Sequence, residues 1–215
     1  QEINLNGYGI TDDPSDLSMW VFPSIVLEPN GFLVIFASDK NRKELVVEWD
    51  AVINWGDSWS YWPGTSAPIS NWDDPGTDIS NWSTGPSGFG YGDNDDNTEL
   101  SQIISVFARK TFQIDDPTMI TKALFHIDYD DGYIAYLNGE EFSRRNMGAP
   151  NTQVYYNETT TGLHEAEIYA GGFPEEISID LNEFPFVPGD NTLAVEVHNY
   201  NTSSSDLSCI PFLTL

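Results

Sequence analysis

Basic residues are scarce in this chain: eight lysines and arginines stand against 34 aspartates and glutamates, a formal charge of −26 over 215 residues. Such a field repels a nucleic-acid phosphate backbone and an anionic leaflet, so neither is expected as a partner. Apolar runs are short. Residues 31–37 and 193–197 fall well below the roughly 18 residues of a spanning helix, and no membrane insertion is expected. The lone cysteine, Cys209, has no partner for an internal disulfide and sits in an apolar run, where a thiol serves as a small hydrophobe. Helical periodicity is missing too, since no long stretch repeats apolar residues every three to four positions. The chain opens on Gln1 without a basic-plus-apolar leader, so any export signal is expected outside these residues.

What remains is a β pattern: branched and aromatic residues in short runs, separated by Gly, Pro, Asn and Asp. Strands are expected over residues 19–22, 32–37, 105–114, 120–129, 133–137, 141–144, 176–180, 192–199 and 208–213. Leu193, Val195 and Val197 alternate with polar or small residues, which directs all three toward a core. Asp131-Gly132 and Asn138-Gly139 read as tight turns, making residues 120–144 an antiparallel meander.

Residues 49–97 shift to Trp, Gly, Pro, Ser and Asp, a composition of long ordered loops pinned by aromatics. The expected organisation is therefore a β segment over 1–48 and a main domain over 49–215. The apolar run 32–36 needs cover, most simply by docking of Trp20, Phe22 and Phe36 on the main domain.

Asp93, Asp95, Asn97 and Glu99 place oxygen donors at alternate positions, a set suited to a hard cation such as calcium. An EF-hand is excluded, because Thr98 and Ile104 stand where that loop needs glycine and glutamate. A solvated acidic turn is the alternative. Asp128, Asp130 and Asp131 form a second acidic knot, read as structural. Trp59, Trp72, Trp82 and Phe89 are assigned to packing, whereas Trp55, Trp62, Tyr133, Tyr155, Tyr156 and Tyr200 lie in polar surroundings and are candidate sugar platforms. Arg144 and Arg145 are candidates for bonding sugar hydroxyls, with pairing to surplus carboxylates as the bland reading. His126, His164 and His198 lack zinc-ligand spacing. No catalytic constellation is legible and an enzyme is not expected; a glycoside-cleaving pair of carboxylates among the 34 acidic residues is the remaining catalytic alternative.

Four stretches together resemble a galactose-binding-like jelly roll of bacterial cell-surface and carbohydrate-active proteins. They are Trp82-Ser-Thr-Gly-Pro-Ser-Gly-Phe-Gly-Tyr-Gly-Asp93, Phe107-Ala-Arg-Lys-Thr-Phe112, Asp130-Asp-Gly-Tyr-Ile-Ala-Tyr-Leu-Asn-Gly139 and Gly189-Asp-Asn-Thr-Leu-Ala-Val-Glu-Val-His198. Gly9-Ile-Thr-Asp-Asp13 and Phe32-Leu-Val-Ile-Phe-Ala-Ser-Asp39 resemble the later strands of a bacterial lamin-tail domain, a type found beside CotH-like kinase domains. These resemblances imply an all-β antiparallel sandwich with a small N-terminal β segment. They also imply a structural calcium, a glycan partner and adjoining domains of a larger protein that is secreted or on the bacterial surface. The expected function is a non-catalytic carbohydrate- or cell-surface-glycan-binding module. The alternative is a structural or adhesive spacer associating through its strands.

Overall fold

The computed structural model describes residues 2–29, 31–33 and 49–215, and its coordinates divide into two compact units, Gln1–Glu48 and Trp49–Leu215. Among its described residues the first unit holds four two-residue strands: β1 (Ile3–Asn4), β2 (Gly9–Ile10), β3 (Trp20–Val21) and β4 (Val26–Leu27). β1 pairs with β4 and β2 with β3, both antiparallel. Trp20 and Phe22 meet edge to face at 4.9 Å. Of the strand expected over 32–37, Phe32 is exposed and Leu33 lies outside regular structure, and the rest, with Phe36, falls outside the described residues.

The second unit contains twelve strands: β5 (Ala51–Ile53), β6 (Ser58–Pro63), β7 (Ser83–Pro86), β8 (Phe89–Tyr91), β9 (Thr98–Glu99), β10 (Ser105–Ile114), β11 (Leu124–Tyr129), β12 (Gly132–Leu137), β13 (Glu140–Arg145), β14 (Glu175–Ser178), β15 (Gly189–His198) and β16 (Leu207–Thr214). Two single-turn 3₁₀ helices, Pro117–Met119 and Ile168–Ala170, are its helical content among the described residues. One sheet runs β13-β12-β15-β10-β6-β7, and the other runs β14-β11-β16-β8-β9 with β5 on β16. Apart from the short parallel pair β8–β9, every ladder is antiparallel. From β10 onward the chain passes repeatedly between the two sheets, so the unit is an antiparallel β-sandwich.

Alternation explains the layering. Leu193, Val195 and Val197 are fully buried, beside Val106 and Ala108 from β10 and Tyr133, Ala135 and Leu137 from β12. Phe125, Ile127, Tyr129, Cys209 and Leu213 from the opposing sheet join the same core, with Trp59 and Phe89. Burial pushes the Cys209 thiol pKa up, as expected of a packing residue rather than a nucleophile.

The meander expected over residues 120–144 is corrected at its first turn. β11 and β12 belong to different sheets, so Asp130–Asp131 is a corner over the core rather than a hairpin loop. Gly132 starts β12 without a positive φ. The second turn is as read: Asn138 (φ 53°) and Gly139 (φ 87°) both take the left-handed conformation that joins β12 to β13 tightly.

On the outer face of the first sheet, Phe107 and Ala194 carry a second apolar cluster with Trp72 and Trp82 from the 64–82 segment. Buried Arg109 fastens that segment by donating to the carbonyls of Trp72 (3.2 Å), Thr77 (3.1 Å) and Pro75 (2.8 Å). The loop is ordered by aromatic packing and one guanidinium, in line with its composition.

Candidate functional site

The acidic loop between β8 and β9 folds back on the end of the second sheet. Asn94, at φ 66°, turns the chain, so the following aspartates converge instead of alternating. Asp93, Asp95 and Asp96 each bring a carboxylate oxygen within 4.8 Å of the others, a group that can hold a metal ion. Ser208 on β16 donates to Asp93 Oδ2 at 2.9 Å. Asp96 packs over β8, where a Cβ on Gly90 would stand 2.5 Å from its Oδ1.

Four oxygens here, Asp93 Oδ1, both of Asp95 and Oδ1 of Asp96, are buried without a hydrogen-bond partner. Burial raises the pKa of Asp96 to about 8, helped by the charges of Asp95 and Asp93, and burial with the neighbouring Asp93 raises that of Asp95 as well. Carboxylates crowded this way either take up protons or share a cation, and the orphaned oxygens fit an oxygen-seeking ion. The expected ligand set is only partly assembled. Asp93 and Asp95 are in the group, Asp96 joins them, and Glu99 is exposed outside it, while Asn97 commits its amide to the Ser87 carbonyl at 2.8 Å.

In the cation-free protein the signs are definite. Asp96 has a folded pKa raised above its unfolded value, so its contribution is fully present below about pH 4 and is lost as pH rises through about 8. Asp130, raised to about 8 by burial and Asp206, behaves the same way. If the group holds calcium, the ion would keep the carboxylates ionised, and chelator-treated protein should then lose stability between pH 5 and 9 relative to protein in calcium. Urea denaturation at both pH values checks this, and parallel pH profiles would speak against a cation at the loop.

The second acidic knot is structural. Asp128 accepts from the backbone N–H groups of Glu167 (2.9 Å) and Ile168 (2.8 Å), and Asp130 from Ala166 (3.2 Å). Asp131 accepts from His164 (3.1 Å) and Tyr200 (2.7 Å). Three buried carboxylates thus pin residues 164–168 and 200. Of the histidines, His126 stacks on Phe212, His164 stacks on Tyr129, and His198 is buried against Glu196.

Among the candidate platforms, Trp55 is half exposed and borders the acidic loop. A Cβ on Gly88 would meet Asn97 N at 3.1 Å, Asp95 O at 3.3 Å and Trp55 Nε1 at 3.3 Å, so the indole and the acidic loop converge over that glycine. Tyr155 and Tyr200 are exposed. Trp62 and Tyr156 pack against the outer-face cluster, and Trp62 donates to the Ser66 carbonyl at 3.0 Å.

Two expectations are corrected. Tyr133 is fully buried in the core with its hydroxyl 2.7 Å from Ser143 Oγ, and so presents no face to a sugar. Arg144, with a side chain 4% exposed, is spent on Glu141 (2.9 and 2.7 Å), the Met147 carbonyl (2.6 Å) and Thr152. Arg145 pairs with Glu175 at the surface.

No protein-family model matches the chain, so neither the galactose-binding-like nor the lamin-tail-like resemblance has such a match, and no curated protein matches it. Among solved structures, a glycosyl hydrolase family 2 member from Bacteroides cellulosilyticus aligns over 77% of the chain at 12% identity (TM-score 0.47). A β-glucuronidase from an uncultured Clostridium sp. aligns over 85% at 15% identity (TM-score 0.47). A calcium-binding mutant of Bacteroides uniformis β-glucuronidase 2 aligns over 78% at 15% identity (TM-score 0.47). The chain spans 20%, 30% and 18% of those proteins, respectively.

Proposed function

We propose that this chain is a non-catalytic carbohydrate-binding module of a larger secreted or cell-surface protein, with calcium ordering its loop end. The observation that carries this reading is the convergence of unpartnered buried carboxylate oxygens with the exposed Trp55 indole at one loop. Asp93, Asp95 and Asp96 would hold the ion. The ion would supply charge neutralisation, which fixes the loop that borders the indole. A calcium-rich exterior suits such a site, whose ligands are few and whose neighbours are acidic. An indole face stacks on the C–H face of a pyranose, and neighbouring polar groups reach its hydroxyls.

A glycan array with calcium and with chelator, run on wild type and Trp55→Ala, tests the reading. Calcium-dependent glycan retention that Trp55→Ala weakens at least tenfold is expected. Retention indifferent to both changes would overturn it, and self-association without glycan retention would favour the spacer alternative.

A further inference from the structure

We infer that the outer face of the first sheet carries a second saccharide site, which accepts one neutral pyranose unit between β6, β7 and β10. Strand register builds it. Ser60 pairs with Arg109 on one side and with Thr84 on the other, so the three side chains share a face. Ser58 and Thr111 lie two residues along the same strands and share it too. With Ile79 these residues line a cavity of about 350 Å³, at the small end of the range for small-molecule sites.

The chemistry of the lining selects the ligand. The hydroxyls of Ser58, Ser60, Thr84 and Thr111 make no hydrogen bond to another described residue; Ser58, Thr84 and Thr111 are exposed and Ser60 is half-buried, so all four are open to a ligand in place of solvent. Arg109 is 6% exposed, and while its terminal nitrogens are bound to loop carbonyls, its Nε–H is without a partner. A buried guanidinium donor left unmatched is costly, and small movements of the lining that let a ligand oxygen reach it would offset that cost. Four hydroxyls that can both donate and accept, beside one fixed donor and the apolar Ile79 wall, match the alternating hydroxyls and C–H patches of a neutral sugar.

An anionic ligand fits less well. It would leave the acceptor capacity of the hydroxyls idle, and Asp73 and Asp74 already offset the Arg109 charge. The neighbouring Lys110 is engaged by Asp57 at 3.4 Å and by the Ser58 carbonyl at 3.1 Å. The chain's net charge of −26 opposes an acidic polymer at longer range. The inference uses residues distinct from the calcium loop and does not require it.

Nitrogen-edited NMR reads the Arg109 Nε–H directly. The probes are neutral gluco-, galacto-, manno- and xylo-oligosaccharides, with oligogalacturonate as the charged control. Saturable movement of that resonance with at least one neutral probe is expected. Ser60→Tyr, which fills the cavity, and the gentler double change Thr84→Val with Thr111→Val should each weaken binding tenfold or more while the calcium response stays unchanged. The movement should persist in Trp55→Ala. The inference is overturned if the resonance is unmoved by every neutral probe, if only oligogalacturonate moves it, or if the double variant, folded, binds as wild type does. Saccharide binding lost in Trp55→Ala with the Arg109 resonance unmoved throughout would leave only the loop-end site.

Discussion

Asp96→Asn should reverse the sign of its effect on stability with the presence of calcium. In saturating calcium the variant lacks one carboxylate of the Asp93, Asp95 and Asp96 group, and the ion's contribution is lost. At a free calcium concentration 100 times Kd that contribution is about 2.7 kcal/mol, or about 5–10 °C in Tm for a domain of this size. In chelator at pH 8 the order inverts. The variant removes a crowded carboxylate whose ionisation burial and two neighbouring aspartates oppose, so it should melt at or above wild type. Thermal melts of both proteins in calcium and in chelator check the crossover. A loss of equal size in both conditions would mean that Asp96 serves packing alone.

Arg144→Ala should be severely destabilising, by about 3–5 kcal/mol, because it strands a buried carboxylate. The Arg144 and Glu141 side chains are 4% and 8% exposed and are joined by two hydrogen bonds. The same guanidinium holds the carbonyls of Met147 and Thr152, so the 147–152 turn should loosen with it. Arg145 is the built-in control. Its side chain is 46% exposed and its pair with Glu175 is at the surface, where substitution costs about 1 kcal/mol or less. Urea midpoints of the two alanine variants separate the roles, and equal small losses would contradict the assignment of Arg144 as a clamp.

Pairing with a carboxylate was one of the two sequence readings of Arg144, and a register shift decides for it and picks Glu141. Ala135 pairs with Ser143 but Tyr136 pairs with Glu141, so β13 carries a bulge at Phe142. Residues three apart on a regular strand point to opposite faces, and the extra residue brings Glu141 and Arg144 to the same one. Nothing in the order of residue types announces a bulge. The same holds for Asp96: alternate spacing picked Asp93 and Asp95 on the premise of extended chain, and the positive φ of Asn94 breaks that premise. By contrast β10 was legible to its ends, Ser105 and Ile114, since a long alternating run has one register that buries its apolar face.

The corner between β11 and β12 shows where local rules stop. Asp-Gly favours a tight turn, and both flanking runs have an apolar face, which side-by-side strands and strands facing across a core satisfy equally. The choice is made by partners far along the chain: β16 and β14 pair with β11, while β15 and β13 pair with β12. Burial of Asp128, Asp130 and Asp131 follows from that choice, since a corner over the core needs its polar groups matched, and residues 164–168 supply the donors.

Terbium luminescence reads out whether the 93–96 loop, bordered by Trp55, binds a calcium-like ion. Terbium takes the same oxygen ligands and emits when a nearby excited indole transfers energy to it. Saturable emission on tryptophan excitation is expected, displaced by calcium, abolished in Asp96→Asn and strongly reduced in Trp55→Phe. Absence of saturable emission from folded wild-type protein, or emission that survives Asp96→Asn unchanged, would contradict such binding.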